Sequence, residues 1–438
     1  MSDKKLIIPR KLSGFMELKP YKQILLDEMI DKIKKVYQKN GFLPLDTPVL
    51  ELSEILFAKS GNSIDKEVYH FTKGDTDICM RYDLTVPLAR FVAMNSDTLS
   101  FPFKRYQIGK VYRGERAQKG RFREFIQCDA DIVGVDELPV VADAECLKIV
   151  EQVFSALNLD IIIRISNRNI LFGICEGLGY KEQTQEILIV LDKIDKIGKE
   201  NVLEELDKIG VSKKHQQQIL NVTLQRGQFE KVISNIENLV DNETYQKGIN
   251  ELKELYLYLS SMSVDENKFV LDLSIIRGQN YYTGTVFEAV LPSHPEFGTV
   301  CGGGRYDNLA GYFTEKKLPG VGLSIGLTRL FDLLDQNDML PEYSLTNLDL
   351  QIIPLGDTLL DCLKLQNFLQ KDLICEVNYD NRSFKSKMKE ANKRQIPYII
   401  VVGENEVKEQ KFSLKNMISG EQVLLDKKDI SNYIKKMK

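Results

Sequence analysis

Hydrophobic positions recur along the chain at helical spacing in some segments and in short strand-like runs in others. The changes from one pattern to the other indicate where helices and strands begin and end. A helix is predicted over residues 20 to 40, and Gly41 ends the pattern. Residues 42 to 52 are typical of an extended segment. From about residue 69 to residue 134, short apolar or aromatic runs alternate with turns and charged residues, as in an antiparallel sheet. The apolar positions of the predicted first helix are Leu25, Met29, Ile33 and Val36.

The pattern changes twice more toward the C-terminus. Between about residues 180 and 262, leucine and isoleucine recur at helical spacing among lysine and glutamate, which predicts an inserted helical subdomain. Strand-like segments return at residues 268 to 274 and continue to about residue 333, so the sheet is interrupted and then resumed. After Pro341, the apolar segments LQIIPL, LICEV and YIIVV are separated by helical stretches, which predicts a small α/β domain.

These patterns and the length of 438 residues predict a multidomain protein of mixed α+β and α/β class. Its antiparallel-sheet core is expected at residues 1–180 and 263–335, interrupted by a helical insertion at residues 181–262. A C-terminal α/β domain is expected at residues 345–438.

Composition and charge narrow the functional classes. The N-terminus is charged, and no run of 18 apolar residues occurs, which predicts a cytoplasmic protein that does not enter a membrane. Seven scattered cysteines without a CxxC pair, and only three histidines, argue against a disulfide framework or a zinc site. The net charge of -4 argues against nonspecific coating of nucleic acid, but it leaves room for a local basic surface.

The densest candidate chemistry lies in residues 105 to 134. The alternation of Val111, Arg113 and Glu115 directs ionic groups toward one surface, where guanidinium groups suit phosphate oxygens. A solvated charged hairpin is the alternative interpretation. The ionic residues crowded into this stretch are Arg113, Glu115, Arg116, Lys119, Arg121, Arg123 and Glu124.

This stretch resembles the second signature motif of class II aminoacyl-tRNA synthetases, in the form found in histidyl-tRNA synthetases. The resemblance implies that Arg113 binds the ATP α-phosphate and that Phe125 stacks on adenine. It also implies that Glu115 and Arg121 arrange the nucleotide and its Mg²⁺. The residues that it implies at the acceptor end of tRNA are Arg116, Gln118 and Lys119.

The same resemblance implies a binding site for L-histidine. Gln127 would bind the α-amino group, and Asp131 would accept a hydrogen bond from the imidazole. Upstream, Asp83 and Thr85 match positions that also hold the amino group, with aspartate where many members carry glutamate. Asp83 and Thr85 also suit the cap of a helix that starts near Val86, and the two interpretations are compatible.

Residues 275–289, IIRGQNYYTGTVFEA, resemble a histidine-specific motif of the same family. The resemblance implies that Arg277 is catalytic together with the motif arginine at position 113, contacting the α-phosphate and the histidine carboxylate. Tyr281 is preserved, and Tyr282 would hydrogen-bond the imidazole, although a tyrosine pair in a strand is also typical of packing. Two residues depart from the usual Leu and Asp and remove one negative charge, namely Gln279 and Asn280.

Three further segments resemble family motifs. Residues 301–313 contain a triple glycine that lets the backbone approach a ligand, although a bulge or turn also explains it. Residues 320–334 resemble the third class II motif, which implies Arg329 at the ATP γ-phosphate, with Thr328 replacing a usual glutamate. The segment around Pro48 resembles the first motif and implies a homodimer.

The C-terminal domain resembles the anticodon-binding domain of these enzymes. Its predicted helix between Arg382 and Arg394 contains one acid, Glu390, and is expected to face RNA, although a solvated lysine face is the alternative. The basic residues of that stretch are Arg382, Lys385, Lys387, Lys389, Lys393 and Arg394.

Together these resemblances cover nearly the whole chain. They imply a class II synthetase core with a helical insertion and an anticodon-binding domain. They also imply that the enzyme adenylates L-histidine with ATP and Mg²⁺, releases pyrophosphate and passes histidine to its tRNA. Two alternatives are a histidine-sensing regulatory paralogue without catalysis and an activator of histidine that does not use tRNA.

Overall fold

The computed structural model describes residues 7–58, 67–116, 120–276, 282–308, 310–342 and 345–437. The chain divides into two compact units, one of residues 1–16 and 29–340 and the other of residues 17–28 and 341–438. No helix among the described residues is long and apolar enough to cross a membrane.

The first unit is built on a nine-stranded sheet with the strand order β1-β5-β6-β12-β11-β10-β7-β9-β8. The β1–β5 and β7–β9 pairs are parallel, and the other pairs are antiparallel. The strands are β1 (Leu43–Pro44), β5 (Phe103–Tyr112), β6 (Glu124–Val133), β7 (Ile162–Asn167), β8 (Arg226–Gly227), β9 (Phe269–Asp272), β10 (Thr285–Val290), β11 (Thr299–Tyr306) and β12 (Gly320–Gly326).

A separate three-stranded antiparallel sheet takes two strands from the region 69 to 134, predicted as an antiparallel sheet, and one from the predicted extended segment 42 to 52. Its strands are β2 (Leu50–Leu52), β3 (His70–Lys73) and β4 (Thr76–Met80), in the order β2-β4-β3. The prediction is therefore only partly right, because helix α3 (Thr85–Asn95) separates this sheet from β5. The helix forms because Asp83 accepts hydrogen bonds from two amides of its first turn.

Helix α1 (Pro20–Lys39) matches the predicted first helix. Met29, Ile33 and Tyr37 recur at spacings of four and form its buried stripe, whereas Val36 is only partly buried. The Tyr37 hydroxyl donates to the backbone oxygen of Cys128 at 3.0 Å, which fixes the helix against β6. The helix ends at Lys39, and Gly41 follows it with a φ of +80°, which favours glycine.

The remaining helices of the first unit lie mostly between strands β7 and β9, which are neighbours in the sheet. The predicted interruption and resumption of the sheet therefore exists in the structure. Helices α5 and α10 pack closely through Gly173 and Gly248, where a side chain would collide with the facing helix. The helices are α2 (Ser53–Phe57), α4 (Val141–Ala156), α5 (Arg168–Gly177), α6 (Thr184–Leu191), α7 (Ile194–Lys208), α8 (Lys213–Thr223), α9 (Phe229–Ile236), α10 (Glu243–Ser261) and α11 (Leu327–Gln336).

The second unit is the predicted small α/β domain. Its five-stranded sheet has the order β14-β13-β15-β16-β17, with apolar clusters on both faces. Helices α12 and α15 contribute to one cluster and helix α13 to the other. Its elements are β13 (Leu350–Pro354), α12 (Leu359–Leu369), β14 (Cys375–Val377), α13 (Phe384–Lys393), β15 (Tyr398–Val402), α14 (Glu404–Glu409), β16 (Lys411–Asn416), β17 (Gln422–Asp426) and α15 (Ile430–Met437).

Candidate active site

A cavity of about 400 Å³ lies over one face of the central strands β6, β12 and β11. Because side chains alternate along a strand, Gln127, Asp129 and Asp131 point to the same face of β6. Opposite them, β12 carries small residues: Gly322 pairs with Asp131, and Ser324 pairs with Asp129. A Cβ atom on Gly322 would lie 2.0 Å from the Asp131 carboxylate, so glycine is required for the carboxylate to fit.

The cavity gathers most of the residues that the sequence nominated. Arg116 is exposed and does not line it. Arg277, Tyr281, Gln118 and Lys119 lie outside the described residues, as do Gln279 and Asn280. The nominated residues that line the cavity are Asp83, Thr85, Arg113, Glu115, Arg121, Phe125, Gln127, Asp131, Tyr282 and Arg329.

Asp83 directly precedes the first turn of helix α3, as the capping interpretation predicted, and it also lines the cavity. Its Oδ1 accepts hydrogen bonds from the amides of Thr85 and Val86, each at 3.0 Å, and its side chain lines the cavity. Burial raises the pKa of Asp83, and the two amides together with Arg113 and Arg105 oppose that rise. The carboxylate is therefore fixed in place by the helix while it faces the site.

Asp131 belongs to a buried group that includes two residues the sequence analysis did not nominate. The Tyr306 hydroxyl donates to Oδ1 of Asp131 at 2.9 Å, and Nη2 of Arg105 lies 2.8 Å from Oδ2. Burial raises the pKa of Asp131, and Arg105 opposes the rise. Tyr306 is the last residue of the glycine-rich segment 301–306, and this position in a family motif could have identified it as a site residue. No sequence feature could have identified Arg105, because its burial depends on partners that are distant in sequence.

Asp129 is the third functional candidate that the sequence analysis missed. Gln127 donates from Nε2 to Oγ of Ser324 at 2.9 Å, and the Ser324 hydroxyl is in turn hydrogen-bonded to Asp129. Burial and the nearby carboxylates of Asp131 and Asp83 raise the pKa of Asp129 to about 7, against the opposing charge of Arg105. Such a carboxylate is typical of a functional cleft rather than of a structural ion pair.

Arg113 follows the end of strand β5, and its guanidinium contacts two aromatic rings. Its guanidinium carbon lies 4.3 Å from the centre of the Tyr82 ring and 5.1 Å from that of Phe125. Its Nε donates to the backbone oxygen of Tyr82 at 3.3 Å. The predicted strand alternation holds for Val111 in β5, but Arg113 and Glu115 reach the cavity from the segment after the strand.

Arg329, in the first turn of α11, reaches the cavity from the opposite side. Its guanidinium donates to the backbone oxygens of Phe297 at 2.6 Å and Thr299 at 3.3 Å. Burial lowers the pKa of Arg329, and the like charge of Arg121 lowers it further. Two guanidinium groups close to each other in a cavity favour a bound anion, because an anion relieves their repulsion.

The unusual Thr328 has a structural role. Its Oγ1 accepts a hydrogen bond from the amide of Ile126 at 2.8 Å and so ties α11 to strand β6. The contact joins the two elements that carry Arg329 and Gln127.

The Glu115 carboxylate suits Mg²⁺ that is bound to the phosphates of a nucleotide. Oε2 of Glu115 lies 3.2 Å from Nη1 of Arg121, and the carboxylate lines the cavity. Among the described residues, no group of three or more His, Cys, Asp or Glu side chains is arranged to hold a metal ion. Mg²⁺ commonly uses one or two carboxylates plus substrate phosphates, and a single glutamate fits that pattern.

The basic helix of the second unit is more neutral than its sequence indicates. Arg382 pairs with Asp380 and Glu390, and Arg394 pairs with Glu376. Lys387 is buried and donates to the backbone oxygen of Asn378. The exposed lysines that remain on this helix are Lys385, Lys389 and Lys393.

The chain matches known proteins along almost its whole length. Residues 14–330 match the family described as histidyl-tRNA synthetase, and residues 349–437 match the anticodon binding domain. The histidine–tRNA ligase of Clostridium tetani is 44% identical over 436 residues, which cover 99% of each chain. The crystal structure of histidyl-tRNA synthetase from Nostoc sp. PCC 7120 superposes with a TM-score of 0.90 at 34% identity, covering 99% of this chain and 100% of that chain.

The sheet with its cavity and the C-terminal anticodon-binding unit define a class II aminoacyl-tRNA synthetase. The chain belongs to the histidyl-tRNA synthetase family, and it is an aminoacyl-tRNA ligase specific for histidine. The predicted fold class, family and activity are confirmed. A structure described as an ATP phosphoribosyltransferase regulatory subunit/histidyl-tRNA synthetase from Bacillus halodurans has a TM-score of 0.75 at 19% identity, covering 88% of this chain and 97% of that chain, which shows a shared fold and does not support the regulatory alternative.

Proposed function

We propose that this cavity is where histidine is adenylated, with the amino acid at its carboxylate end and the triphosphate at its arginine end. The observation that supports the proposal is the opposite charge of the two ends. Asp129 and Asp131 lie toward the end of β6, whereas Arg113 and Arg121 lie just before its start. Arg329 joins the two arginines because α11 begins directly after the β12 residue that pairs with Gln127.

The carboxylate end would hold histidine at its amino group and its ring. Asp83, Thr85 and Gln127 accept hydrogen bonds from the α-ammonium group. Asp131 accepts a hydrogen bond from the imidazole, and Tyr282 completes the ring site. The support for this assignment is that all five residues line one cavity and that Oε1 of Gln127 is buried without a hydrogen-bond partner in the described part of the chain.

The arginine end would hold the nucleotide. Arg113 binds the α-phosphate, Arg329 binds the γ-phosphate, and Arg121 adds positive charge between them. Phe125 stacks on adenine at the rim of the cavity. Arg277 and Tyr281, which lie outside the described residues, are proposed from the sequence motif to complete the contacts with the α-phosphate and histidine.

The reaction then needs positioned charge rather than a covalent intermediate with the protein. The histidine carboxylate attacks the α-phosphorus, the bond to the β-phosphate oxygen breaks, and pyrophosphate leaves. The terminal ribose hydroxyl of tRNA then attacks the carbonyl carbon of the mixed anhydride and releases AMP. A phosphate oxygen of the adenylate takes the hydroxyl proton. Arg113 stabilises the negative charge that develops on the phosphate in both steps.

Mg²⁺ is proposed as the metal that accompanies ATP. Glu115 would hold it together with the phosphates, and the ion would neutralise charge on the triphosphate. Arg121 stays close to the same carboxylate and keeps it oriented toward the nucleotide.

tRNA is proposed to meet both units. Arg116, Gln118 and Lys119 would contact its acceptor end, and Lys385, Lys389 and Lys393 would contact the anticodon end. We retain the domain limits 1–180 and 263–335 for the core, 181–262 for the insertion and 345–438 for the anticodon-binding domain.

We also propose a cytoplasmic homodimer. The segment that resembles the first class II motif exposes apolar side chains on both sides of Pro48, including Leu43, Leu50 and Leu52. Exposed apolar side chains grouped in one segment favour burial against a partner. Sedimentation of the wild type and of Leu50→Lys tests this: a dimer that the substitution dissociates is expected, and a monomeric wild type would contradict it.

The residue assignment is tested by ATP–pyrophosphate exchange with each amino acid in turn, followed by charging of tRNA with labelled histidine. Exchange with histidine alone and subsequent charging are expected for the wild type. Arg113→Ala is expected to lose exchange by about 100- to 1000-fold, because one charge-stabilising donor is removed. Arg226→Ala is the matched control, since this arginine pairs with Asp272 away from the cavity.

Full exchange in Arg113→Ala would contradict the assignment of the arginine end. Exchange without tRNA charging would instead indicate an activator that does not use tRNA, and histidine binding without exchange would indicate a regulatory paralogue.

A further inference from the structure

Asp129 presents an unused acceptor to the proposed histidine site. Its side chain is 2% exposed and lines the cavity, and its Oδ1 has no hydrogen-bond partner in the described part of the chain. A buried carboxylate oxygen without a partner costs free energy in the empty protein. That cost is recovered only when a donor enters the cavity.

The neighbouring Gln127 presents a second unused acceptor of the same kind. Its Nε2 is committed to Ser324, which leaves Oε1 as the acceptor, and that oxygen is also buried without a partner in the described residues. Gln127 and Asp129 are two residues apart on one face of β6, which separates their backbones by about 7 Å. Ser324 binds both side chains and holds them close together.

One group of histidine matches this arrangement. An ammonium group carries three N–H donors and a positive charge. Asp83, Gln127 and Asp129 supply three acceptors around the cavity, and the Thr85 hydroxyl can take the place of one of them. Asp131 already accepts from Tyr306 and is ion-paired with Arg105. In the proposed site Asp131 serves the imidazole, which leaves the other three side chains for the ammonium group.

We infer that Asp129 is a further substrate-binding residue, whose Oδ1 accepts a hydrogen bond from the α-ammonium group of histidine. The inference rests on the proposed function of this cavity and adds to it a second carboxylate, beside Asp83, whose charge is complementary to that of the amino group. Asp83 uses Oδ1 for the helix amides and Asp129 is hydrogen-bonded to Ser324, which leaves Oδ1 of Asp129 as a buried carboxylate oxygen without a partner in the described residues.

The charges around Asp129 agree with a cationic ligand. Arg105 from β5 and Ser324 from β12 face it, together with Asp131 on its own strand and Asp83 before α3. Tyr37 and Cys128 are its uncharged titratable neighbours. Three carboxylates share one buried guanidinium group, and a ligand ammonium reduces that imbalance. The same imbalance, added to burial, raises the pKa of Asp129 to about 7 in the empty protein.

The test compares three ligands by calorimetric titration of the full-length protein without ATP. Histidine and histidinol carry the amino group, and 3-(imidazol-4-yl)propanoate lacks it. Asp129→Asn is expected to weaken histidine and histidinol by about 10- to 100-fold, the range for a lost charged hydrogen bond. Binding of the des-amino ligand is expected to stay within about twofold. In pyrophosphate exchange, the KM for histidine rises by the same factor while the KM for ATP is unchanged.

Ser324→Ala supplies a second variant if Asp129→Asn does not fold. It removes the hydrogen bonds that orient Gln127 and Asp129, and it is expected to weaken only the two amino ligands, by several-fold. Asp272→Asn is the matched control, because it neutralises a buried aspartate of the same sheet outside the cavity. It is expected to leave all three affinities unchanged.

Equal weakening of all three ligands would overturn the inference, because Asp129 would then serve the ring or the shape of the site. Unchanged affinity for histidine in Asp129→Asn would overturn it as well. A wild type that binds none of the ligands would instead refute the proposed function of the cavity, and the inference would fall with it.

Discussion

The first unit contains two buried arginine–aspartate pairs that are built in opposite ways. In one, Arg305 donates from Nε to Oδ1 of Asp143 at 3.3 Å and from Nη2 to Oδ2 of the same carboxylate. The guanidinium also donates to the backbone oxygens of Leu138 at 2.9 Å and Pro139 at 3.2 Å. Arg305 is closely paired with Asp143, a second carboxylate at Asp307 lies 3.9 Å from its Nη1, and every nitrogen of Arg305 has an acceptor.

In the other pair, Arg105 lies 2.8 Å from Asp131, but its Nε and Nη1 have no acceptor in the described part of the chain. Asp83 and Asp129 bring two more carboxylates to the same guanidinium. Both pairs are buried, so burial does not distinguish them. The difference lies in hydrogen bonding: every nitrogen of Arg305 has an acceptor, whereas two nitrogens of Arg105 and Oδ1 of Asp129 have no partner in the described part of the chain.

The largest effect is expected on the free energy of unfolding, which should depend more on the Arg305–Asp143 pair than on the Arg105–Asp131 pair. Asp143→Asn should lower the free energy of unfolding by about 3–5 kcal/mol, because it leaves the Arg305 charge buried with weaker compensation. Urea denaturation of the substrate-free protein measures this. The control is Asp136→Asn, an exposed aspartate with φ of +61°, a conformation that asparagine also tolerates. A loss below 1 kcal/mol at Asp143 would show that the Arg305–Asp143 pair is not structural.

The next prediction concerns activity at the Arg105–Asp131 pair. Asp131→Asn should lower kcat/KM for histidine in pyrophosphate exchange by about 30- to 1000-fold, because a desolvated charge partner costs about 2–4 kcal/mol. Its free energy of unfolding should fall less than that of Asp143→Asn, since Arg105 keeps two other carboxylates nearby. Tyr306→Phe, which removes only the hydroxyl, is the milder comparison. If Asp131→Asn lowered the free energy of unfolding by more than the activation free energy lost from kcat/KM, the contrast between the two arginine–aspartate pairs would be contradicted.

A third prediction uses the pH dependence of stability. The pKa of Asp129 is about 7 in the folded protein and about 4 in an unfolded chain. Between these values the folded state binds more protons, so this carboxylate lowers stability as the pH rises from about 4 to about 7. Asp129→Asn should therefore be more stable than the wild type at pH 8, by on the order of a few kcal/mol.

Thermal melts without substrate at several pH values test this prediction. The advantage of Asp129→Asn should shrink as the pH is lowered from 8 toward 5. An advantage that is independent of pH would assign it to packing and not to the excess of negative charge.

The smallest effect on the free energy of unfolding is expected for an exposed ion pair, which tests how much the buried pairs owe to their burial. Lys316 and Asp97 form an exposed pair, with Nζ and Oδ1 2.5 Å apart. Lys316→Ala should change the free energy of unfolding by only about 0.2–1 kcal/mol, because water screens both charges. Adding salt should reduce this small effect further while leaving that of Asp143→Asn nearly unchanged. A loss comparable to that of the Arg305–Asp143 pair would contradict the distinction.

Sequence patterns located most of the fold because they are local. The spacing of Met29 and Ile33 predicted α1, and the apolar run 398–402 predicted a buried strand. The capping pattern at Asp83 predicted a helix near Val86, and α3 begins one residue earlier, at Thr85, although the surrounding segment was assigned to a sheet. The prediction of a basic helix face was too broad, because Glu376 and Asp380 lie outside that helix in sequence and neutralise its arginines.

The amino-acid sequence by itself determined the class of fold, the family and the order of its motifs, because these depend on periodicity and on residues close together in the chain. Only the tertiary structure decided which charged residues work together. Arg105, Asp129 and Tyr306 come from three strands, and nothing local marks them as parts of one site. Their chemistry depends on burial and on unsatisfied partners, which arise only when distant segments enclose a cavity.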